Sequence, residues 1–129
     1  MTTTAFSSPV IKMIQLVLQG LVAFVFLAAG VLNLAGMMTE EMLRLGYPGY
    51  FTTILGVAYI IGVICIYQPR FAFLRDWAFG AMVATLVGAA GTHILIGDPI
   101  SSAAPAIVTL VVLVVAYALR GRRLGGAHH

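Results

Sequence analysis

The stretch WAFGAMVATLVGAAGTHILIGDP, residues 77–99, decides the fold. It is apolar for long enough to cross a bilayer, carries one histidine, His93, near its far end, and stops at a Gly-Asp-Pro turn. Taken at every fourth residue, it contains two rows of small side chains, Gly80-Ala84-Gly88-Thr92 and Ala81-Thr85-Ala89-His93. Membrane helices approach one another closely at such faces. We therefore expect a helix whose small face, together with His93, is turned into a bundle.

The composition is that of an integral membrane protein. The 129 residues are 61% hydrophobic and 9% charged, against roughly 25% charged residues in a soluble domain, and the mean hydropathy is +1.05. At about 20 residues for each span, the chain has room for four spans and for no further soluble domain. We therefore predict an all-α, four-transmembrane-helix bundle that forms a single membrane domain over residues 1–129.

Interruptions in the apolar pattern place the predicted spans at about 13–34, 51–68, 77–97 and 102–119. Residues 1–9 are expected to be a flexible lead, 71–76 and 100–105 short connections, and 120–129 a flexible basic tail. A cleaved signal peptide is the alternative for the first span. The uncharged run there is longer than the apolar core of a usual signal peptide, which favours a span.

The connection between the first two spans is the most polar of the chain. Residues 39–42, Thr-Glu-Glu-Met, are typical of a helix start, since the helix dipole favours acidic side chains in the first turn. Residues 46–50, Gly-Tyr-Pro-Gly-Tyr, are typical of a turn. We therefore predict a short interfacial helix followed by a tight re-entry into the membrane.

The charges indicate how the protein is oriented. With four spans, one basic residue, Arg44, lies on one side of the membrane with Glu40, Glu41 and Asp98, and the other basic residues lie on the side of the termini. The positive-inside rule then predicts that both termini are cytoplasmic, in a plasma (inner) membrane. Basic residues at span ends set orientation and do not make a nucleic-acid surface, so the expected surroundings are the lipid bilayer.

The first span carries polar residues along one face, at alternating steps of four and three. This face comprises Gln15, Gln19, Val22, Phe26, Ala29 and Asn33. Polar groups in hydrocarbon usually face the interior of a bundle or mark a functional site. The face is therefore expected to be turned toward the other helices.

One polar residue from each span is expected at a similar depth in the outer half of the bundle. These residues are Asn33, Tyr59, His93 and Thr109. We predict that they line a pocket for a lipophilic small molecule, in which His93 acts as the catalytic acid or base and the other three bind the substrate. The lid or mouth of this pocket is expected to contain Tyr47, Tyr50, Glu40, Glu41 and Asp98.

These residues also have structural explanations. His93 would be satisfied by a hydrogen bond to a backbone carbonyl or to Asp98, Asn33 by an interhelical hydrogen bond, and Tyr59 by packing with its hydroxyl bonded. The lone Cys65 excludes an internal disulfide and a CxxC motif, and it suits a small buried hydrophobic role. No metal site is expected, because a metal normally takes three or four convergent ligands.

Several short motifs carry a family resemblance. They are Ala29-Gly30 near the end of the first span, Leu45-Gly46-Tyr47-Pro48, Leu55-Gly56 in the second span, and His93 before Gly97-Asp98. In these motifs the chain resembles the DoxX-like family of small four-helix membrane proteins. The resemblance implies the four-helix fold and a loose link to quinone-associated oxidation of sulfur compounds and to other redox or biosynthetic roles.

Two polar positions depart from the family pattern. A lysine that the family places shortly after the Ala-Gly is Asn33 here, and an acidic residue of its second span corresponds to Tyr59. If that pair supports an activity in the family, this chain has lost both charges. The departure implies a different chemistry or binding alone.

Two functions stay open. The first is a membrane enzyme without metal or thiol chemistry, acting by proton transfer, as in isomerisation, cyclisation or epoxide opening, or as an oxidoreductase with a bound quinone. The second is a non-catalytic subunit or scaffold that uses the small face of the third span to assemble as a homo-oligomer or with a partner membrane subunit. A four-helix multidrug transporter is disfavoured, because residues 13–34 hold no acidic side chain to couple protons.

Overall fold

A computed structural model describes the backbone of residues 2–127 and the side chains of residues 9–121. Over this range the chain forms five helices: α1 (Thr2–Leu34), α2 (Thr39–Arg44), α3 (Phe51–Tyr67), α4 (Ala72–Leu95) and α5 (Ile100–Ala127). Segments of three of them, Pro9–Leu34, Ala72–Leu95 and Ile100–Gly121, are long and apolar enough to cross a membrane. The chain is therefore an all-helical, multi-pass membrane protein.

The remaining apolar helix, α3, is shorter. Its 17 residues rise about 26 Å, a few ångströms less than the roughly 30 Å of hydrocarbon that a span has to cross. Its role as the second of four spans stays a prediction. The short helix expected after the first span is present as α2.

The four long helices pack in a ring. α1 contacts α3 and α5, and α4 contacts the same two helices. α1 and α4 are therefore diagonal to each other. The core inside the ring is apolar and includes Val22, Phe26, Ile66, Phe79, Met82, Leu86 and Leu113. The helix α2 lies beside α3. One end of the bundle holds α2 and the α4–α5 turn, and we call it the α2 end. We call the opposite end the terminal end.

The helices α1 and α3 approach each other closely at Gly30 and Gly56. A Cβ atom added to Gly56 would lie 2.9 Å from the carbonyl oxygen of Gly30 and 2.5 Å from Cγ of Leu34. Only a residue without a side chain allows the two backbones to come this close. This contact fixes the position of the α3 turn that carries Tyr59.

Five residues of the face of α1 that was predicted to point inward are buried: Gln15, Gln19, Val22, Phe26 and Asn33. Nε2 of Gln15 donates to Oε1 of Gln19 at 2.6 Å, and Nε2 of Gln19 donates to the carbonyl oxygen of Ile66 at 3.4 Å. Asn33 donates to the carbonyl oxygen of Ala29 at 2.7 Å. The side-chain oxygens of Gln15 and Asn33 are buried without a hydrogen-bond partner among the described residues.

The helices extend further than the sequence predicted. Residues 2–9 belong to α1, 72–76 to α4 and 100–105 to α5, and α5 continues through 120–127. Ser, Thr and charged residues are compatible with a helix, and even Pro9 and Pro105 lie within one. The part of the predicted lead at Met1 and the part of the predicted tail at His128 and His129 lie outside the described residues.

Candidate functional site

A cavity of about 390 Å³ lies between α3 and α4, beneath α2. Farther from α2 the two helices are in contact, since Cε of Met82 lies 3.3 Å from the place of a Cβ on Gly62. Nearer to α2 they leave room, and this volume lies in the range typical of small-molecule sites. The walls consist of Glu41 and Met42 of α2 and its flanking residues Met38 and Leu45, Tyr47, Phe51, Leu55 and Tyr59 of the loop and α3, and Thr85, Gly88, Ala89, Thr92 and His93 of α4.

Two helix C-termini bring polar residues to this cavity. Gly97 has φ of 86° and ends α4 in a Schellman motif, in which the backbone N–H of Asp98 donates to the carbonyl oxygen of His93 at 3.0 Å. Gly46, with φ of 94°, ends α2 in the same way, and the N–H of Tyr47 donates to the carbonyl oxygen of Met42 at 2.9 Å. The local sequence therefore folds Asp98 back beside His93, and Tyr47 back over α2.

A chain of charged groups runs along the cavity rim. Nδ1 of His93 lies 2.7 Å from Oδ2 of Asp98. Both oxygens of Asp98 accept from the guanidinium of Arg44 at 3.0 Å, and both oxygens of Glu41 accept from the same guanidinium at 2.9 and 2.8 Å. Arg44 therefore links α2 to the α4–α5 turn through its ion pair with Asp98, and Asp98 is in turn hydrogen-bonded to the His93 imidazole.

The electrostatics keep the carboxylates ionised. The Arg44 guanidinium first, and the His93 imidazole second, lower the pKa of Asp98 to about 2. The hydrogen bonds from Arg44 also lower the pKa of Glu41, and the two carboxylates raise that of Arg44. Near neutral pH the rim thus holds two carboxylates against one guanidinium. Asp98 accepts a hydrogen bond, so the Nδ1 atom of His93 carries the proton in this arrangement.

The hydroxyls of the cavity differ in how they are satisfied. Thr92 donates to the carbonyl oxygen of Gly88 at 2.8 Å, so the Tyr47 hydroxyl, 2.7 Å away, is the donor in the Tyr47–Thr92 pair. Thr85 donates to its own helix. The ring of Tyr59 packs edge-on against Phe26, and its hydroxyl has no hydrogen-bond partner among the described residues.

The structure brings some of the predicted site residues together and separates others. Tyr59, His93, Tyr47 and Glu41 line the cavity, and Asp98 contacts His93 at its rim. Glu40 and Tyr50 are exposed and are not among the lining residues.

Asn33 and Thr109 do not line the cavity, contrary to the prediction that they would meet His93 and Tyr59. Asn33 donates to its own helix within the bundle, and Thr109 donates to the carbonyl oxygen of Pro105. The reason is the order of the helices in the ring. A cavity in the α3–α4 seam is walled by those two helices and α2, whereas α1 and α5 meet on the opposite side.

The small face of α4 does not form the predicted close contact with another helix. Gly80, Ala84 and Gly88 are exposed, and a Cβ on either glycine would have no neighbour within 4 Å. The missing bulk leaves room for part of the cavity at Thr85, Gly88, Ala89 and Thr92. His93 accordingly lies at the α3–α4 seam and not at the centre of the bundle.

Arg44 is the site residue that the sequence prediction missed. It is the single basic residue of the predicted outer side, placed among acidic residues, and this was the available signal. A second signal was the spacing of Met38, Met42 and Leu45, which puts three apolar side chains on one face of α2 and its two capping residues. That face covers the cavity.

Comparison with known proteins gives one family. The chain matches the DoxX-like family over residues 17–116, which include the whole of α2, α3 and α4 and parts of α1 and α5. No curated protein and no solved structure matches the chain.

Proposed function

Since the chain belongs to the DoxX-like family, we propose that this membrane protein binds a lipophilic small molecule between α3 and α4 and acts on it by proton transfer at His93. The observation that carries the proposal is the 2.7 Å hydrogen bond between Asp98 and Nδ1 of His93 at the wall of an apolar cavity. A carboxylate that orients an imidazole is the arrangement by which many enzymes prepare a general base.

Asp98 fixes the imidazole tautomer. With Nδ1 as the donor to Asp98, the other nitrogen, Nε2, is an acceptor with no hydrogen-bond partner among the described residues. It can remove a proton from a bound molecule, and the carboxylate stabilises the imidazolium that forms. Return of that proton to another atom of the same molecule completes an isomerisation or a cyclisation, and its donation to an epoxide oxygen assists ring opening.

A quinone is the redox version of this proposal. Its carbonyl oxygens accept hydrogen bonds, which the Tyr59 hydroxyl or the protonated imidazole of His93 supplies, and the quinone itself would provide the electron chemistry. In that case His93 and Tyr59 bind it and His93 exchanges protons with it. The lining residues fit a ring of this kind because they are mainly apolar.

The proposal includes a location. With both termini cytoplasmic in the inner membrane, the α2 end faces outward and the cavity lies in the outer half of the bundle. Gly88 and Ala89 line the cavity and are also exposed at the surface of α4, which faces lipid in a bilayer. A lipophile therefore reaches the cavity from the membrane without crossing the charged rim.

The experiment is native mass spectrometry of the purified chain, run on wild type, His93→Gln and Thr109→Val. Thr109 lies outside the cavity and serves as the control. We expect wild type and Thr109→Val to retain a specific lipophilic compound. The protein is then incubated with that compound in D₂O. Deuterium incorporation should fall by about 10² to 10⁴ in His93→Gln, the usual range for a lost general acid or base.

A scaffold is the second candidate, supported by the exposed small face of α4. A small face is suited to close contact with a helix of another subunit. If wild type retains only bulk phospholipid, or if deuterium incorporation into a retained compound does not depend on His93, the enzyme proposal is refuted and the scaffold takes its place.

A further inference from the structure

The polar groups of the cavity restrict what can bind there. Glu41 and Asp98 occupy two edges of the Arg44 guanidinium through four hydrogen bonds. The Arg44 guanidinium at the rim is therefore already neutralised, and the two carboxylates leave an excess of negative charge. A ligand with a phosphate or carboxylate headgroup would meet repulsion and find no cation to compensate its lost hydration.

Most hydroxyls of the cavity are also satisfied within the protein. Tyr47 donates to Thr92, Thr92 donates to Gly88, and Thr85 donates to Ala81. Two polar groups remain without a partner among the described residues. They are the Tyr59 hydroxyl and Nε2 of His93.

These two groups reach the cavity from different depths. Tyr59 lies about two helical turns along α3 from its start at the α2 end, whereas His93 lies in the last turn of α4. Helical side chains lean toward the N-terminus of their own helix. The two helices run in opposite directions, so Tyr59 leans toward the α2 end, where His93 lines the same cavity from α4.

A tyrosine hydroxyl that lines an apolar cavity normally finds a hydrogen-bond partner, and an apolar tail offers none. We infer that the cavity takes an uncharged lipophile that carries a carbonyl-type oxygen for the Tyr59 hydroxyl, and that it excludes lipids with anionic headgroups. This inference rests on the proposed function and names its substrate class. A carbonyl held by Tyr59 also acidifies the adjacent C–H groups, which are then the protons that His93 removes.

The proton transfer balances without a further reactant. The C–H bond next to the carbonyl breaks, its proton goes to Nε2 of His93, and its electron pair moves into an enolate whose oxygen accepts the hydrogen bond from Tyr59. Return of the proton to carbon restores the base. Tyr59 thus stabilises the negative charge where it develops.

The test compares three naphthalene probes with the full chain in lipid nanodiscs, by equilibrium dialysis against nanodiscs without protein. 2-Acetylnaphthalene carries the carbonyl, 2-isopropylnaphthalene has nearly the same shape without it, and 2-naphthoate is an anion. The variants are Tyr59→Phe and, as a matched control on the same helix, Tyr67→Phe, whose ring is exposed at the far end of α3.

We expect wild type and Tyr67→Phe to bind the ketone roughly two- to tenfold more tightly than the hydrocarbon, which corresponds to one net hydrogen bond. Tyr59→Phe should remove that preference and leave hydrocarbon binding unchanged. 2-Naphthoate should not bind above the level of empty nanodiscs. The wild-type comparison of ketone and hydrocarbon stands by itself if Tyr59→Phe fails to fold.

Equal binding of ketone and hydrocarbon to wild type, a preference that survives in Tyr59→Phe, or binding of 2-naphthoate as tight as that of the ketone would each overturn the inference. In those cases the protein still binds lipophiles, and the proposed function stands. If no probe binds and only bulk phospholipid is retained in mass spectrometry, both the inference and the proposed function fail.

Discussion

Replacement of Gly56 by alanine tests the α1–α3 contact that positions the cavity wall. The added Cβ would lie 2.9 Å from the Gly30 carbonyl oxygen, whereas a carbon and a carbonyl oxygen in contact are about 3.3 to 3.6 Å apart. The backbones must therefore separate by about 0.4 to 0.7 Å at this point. Leu34, which is 46% exposed, can swing away from the new methyl group, but the carbonyl cannot. Overpacking of this kind costs about 1 to 3 kcal/mol.

The measurement is the free energy of unfolding in mixed micelles, from a titration with sodium dodecyl sulfate followed by circular dichroism. A loss of this size lowers the ratio of folded to unfolded protein by a factor of roughly 5 to 150. Gly20→Ala is the control, since a Cβ there meets nothing within 4 Å, and it should be neutral or up to about 1 kcal/mol stabilising. If Gly56→Ala is as stable as Gly20→Ala, the close approach of α1 and α3 is wrong.

Three further predictions concern polar groups. Gln15→Leu breaks the hydrogen bond to Gln19 but also removes a buried oxygen that has no partner among the described residues, whereas Gln19→Leu breaks both hydrogen bonds of the Gln19 amide. Gln19→Leu should therefore lower the free energy of unfolding by roughly 0.6 to 2 kcal/mol in the same titration, and Gln15→Leu should lower it by less. The pKa of Asp98 is lowered from 3.8 to about 2. The ionised Asp98 therefore contributes its full stabilisation above pH 3.8, and this contribution is lost as the pH falls through about 2. The distribution of distances between spin labels on α2 and α4 should stay constant down to pH 3.8 and broaden at lower pH. Tyr47→Phe removes the donor to Thr92 and should speed amide hydrogen exchange in α2 without unfolding the bundle, and unchanged exchange would show that this bond does not hold α2 in place.

The sequence predicts what local patterns determine. Composition gives the membrane class, and the spacing of Gln15, Gln19 and Val22 gives the buried face of α1, because a regular helix turns the same residues inward wherever its neighbours lie. The proximity of Asp98 to His93 is also local, since Gly97 forces the turn that joins them.

The order of the helices in the ring is not local. Nothing in residues 13–34 or 102–119 records that α1 and α5 meet away from the α3–α4 seam, so Asn33 and Thr109 were predicted at a site that they do not reach. The same limitation applies to Arg44. Its partner Asp98 lies 54 positions away in the chain, and only the packed bundle brings the two together.

Small residues have opposite structural effects in two parts of this fold. Gly30 of α1 and Gly56 of α3 face each other, and because neither has a side chain the two helix backbones pack closely together there. Gly88 and Ala89 of α4 are equally small, but α3 lies away from them and α2 covers the gap between the two helices. The missing side-chain volume therefore becomes part of the cavity. The difference comes from the neighbours. A row of small residues in a membrane helix therefore predicts either tight packing or a binding cavity, and on α4 the cavity carries an oriented histidine at its edge.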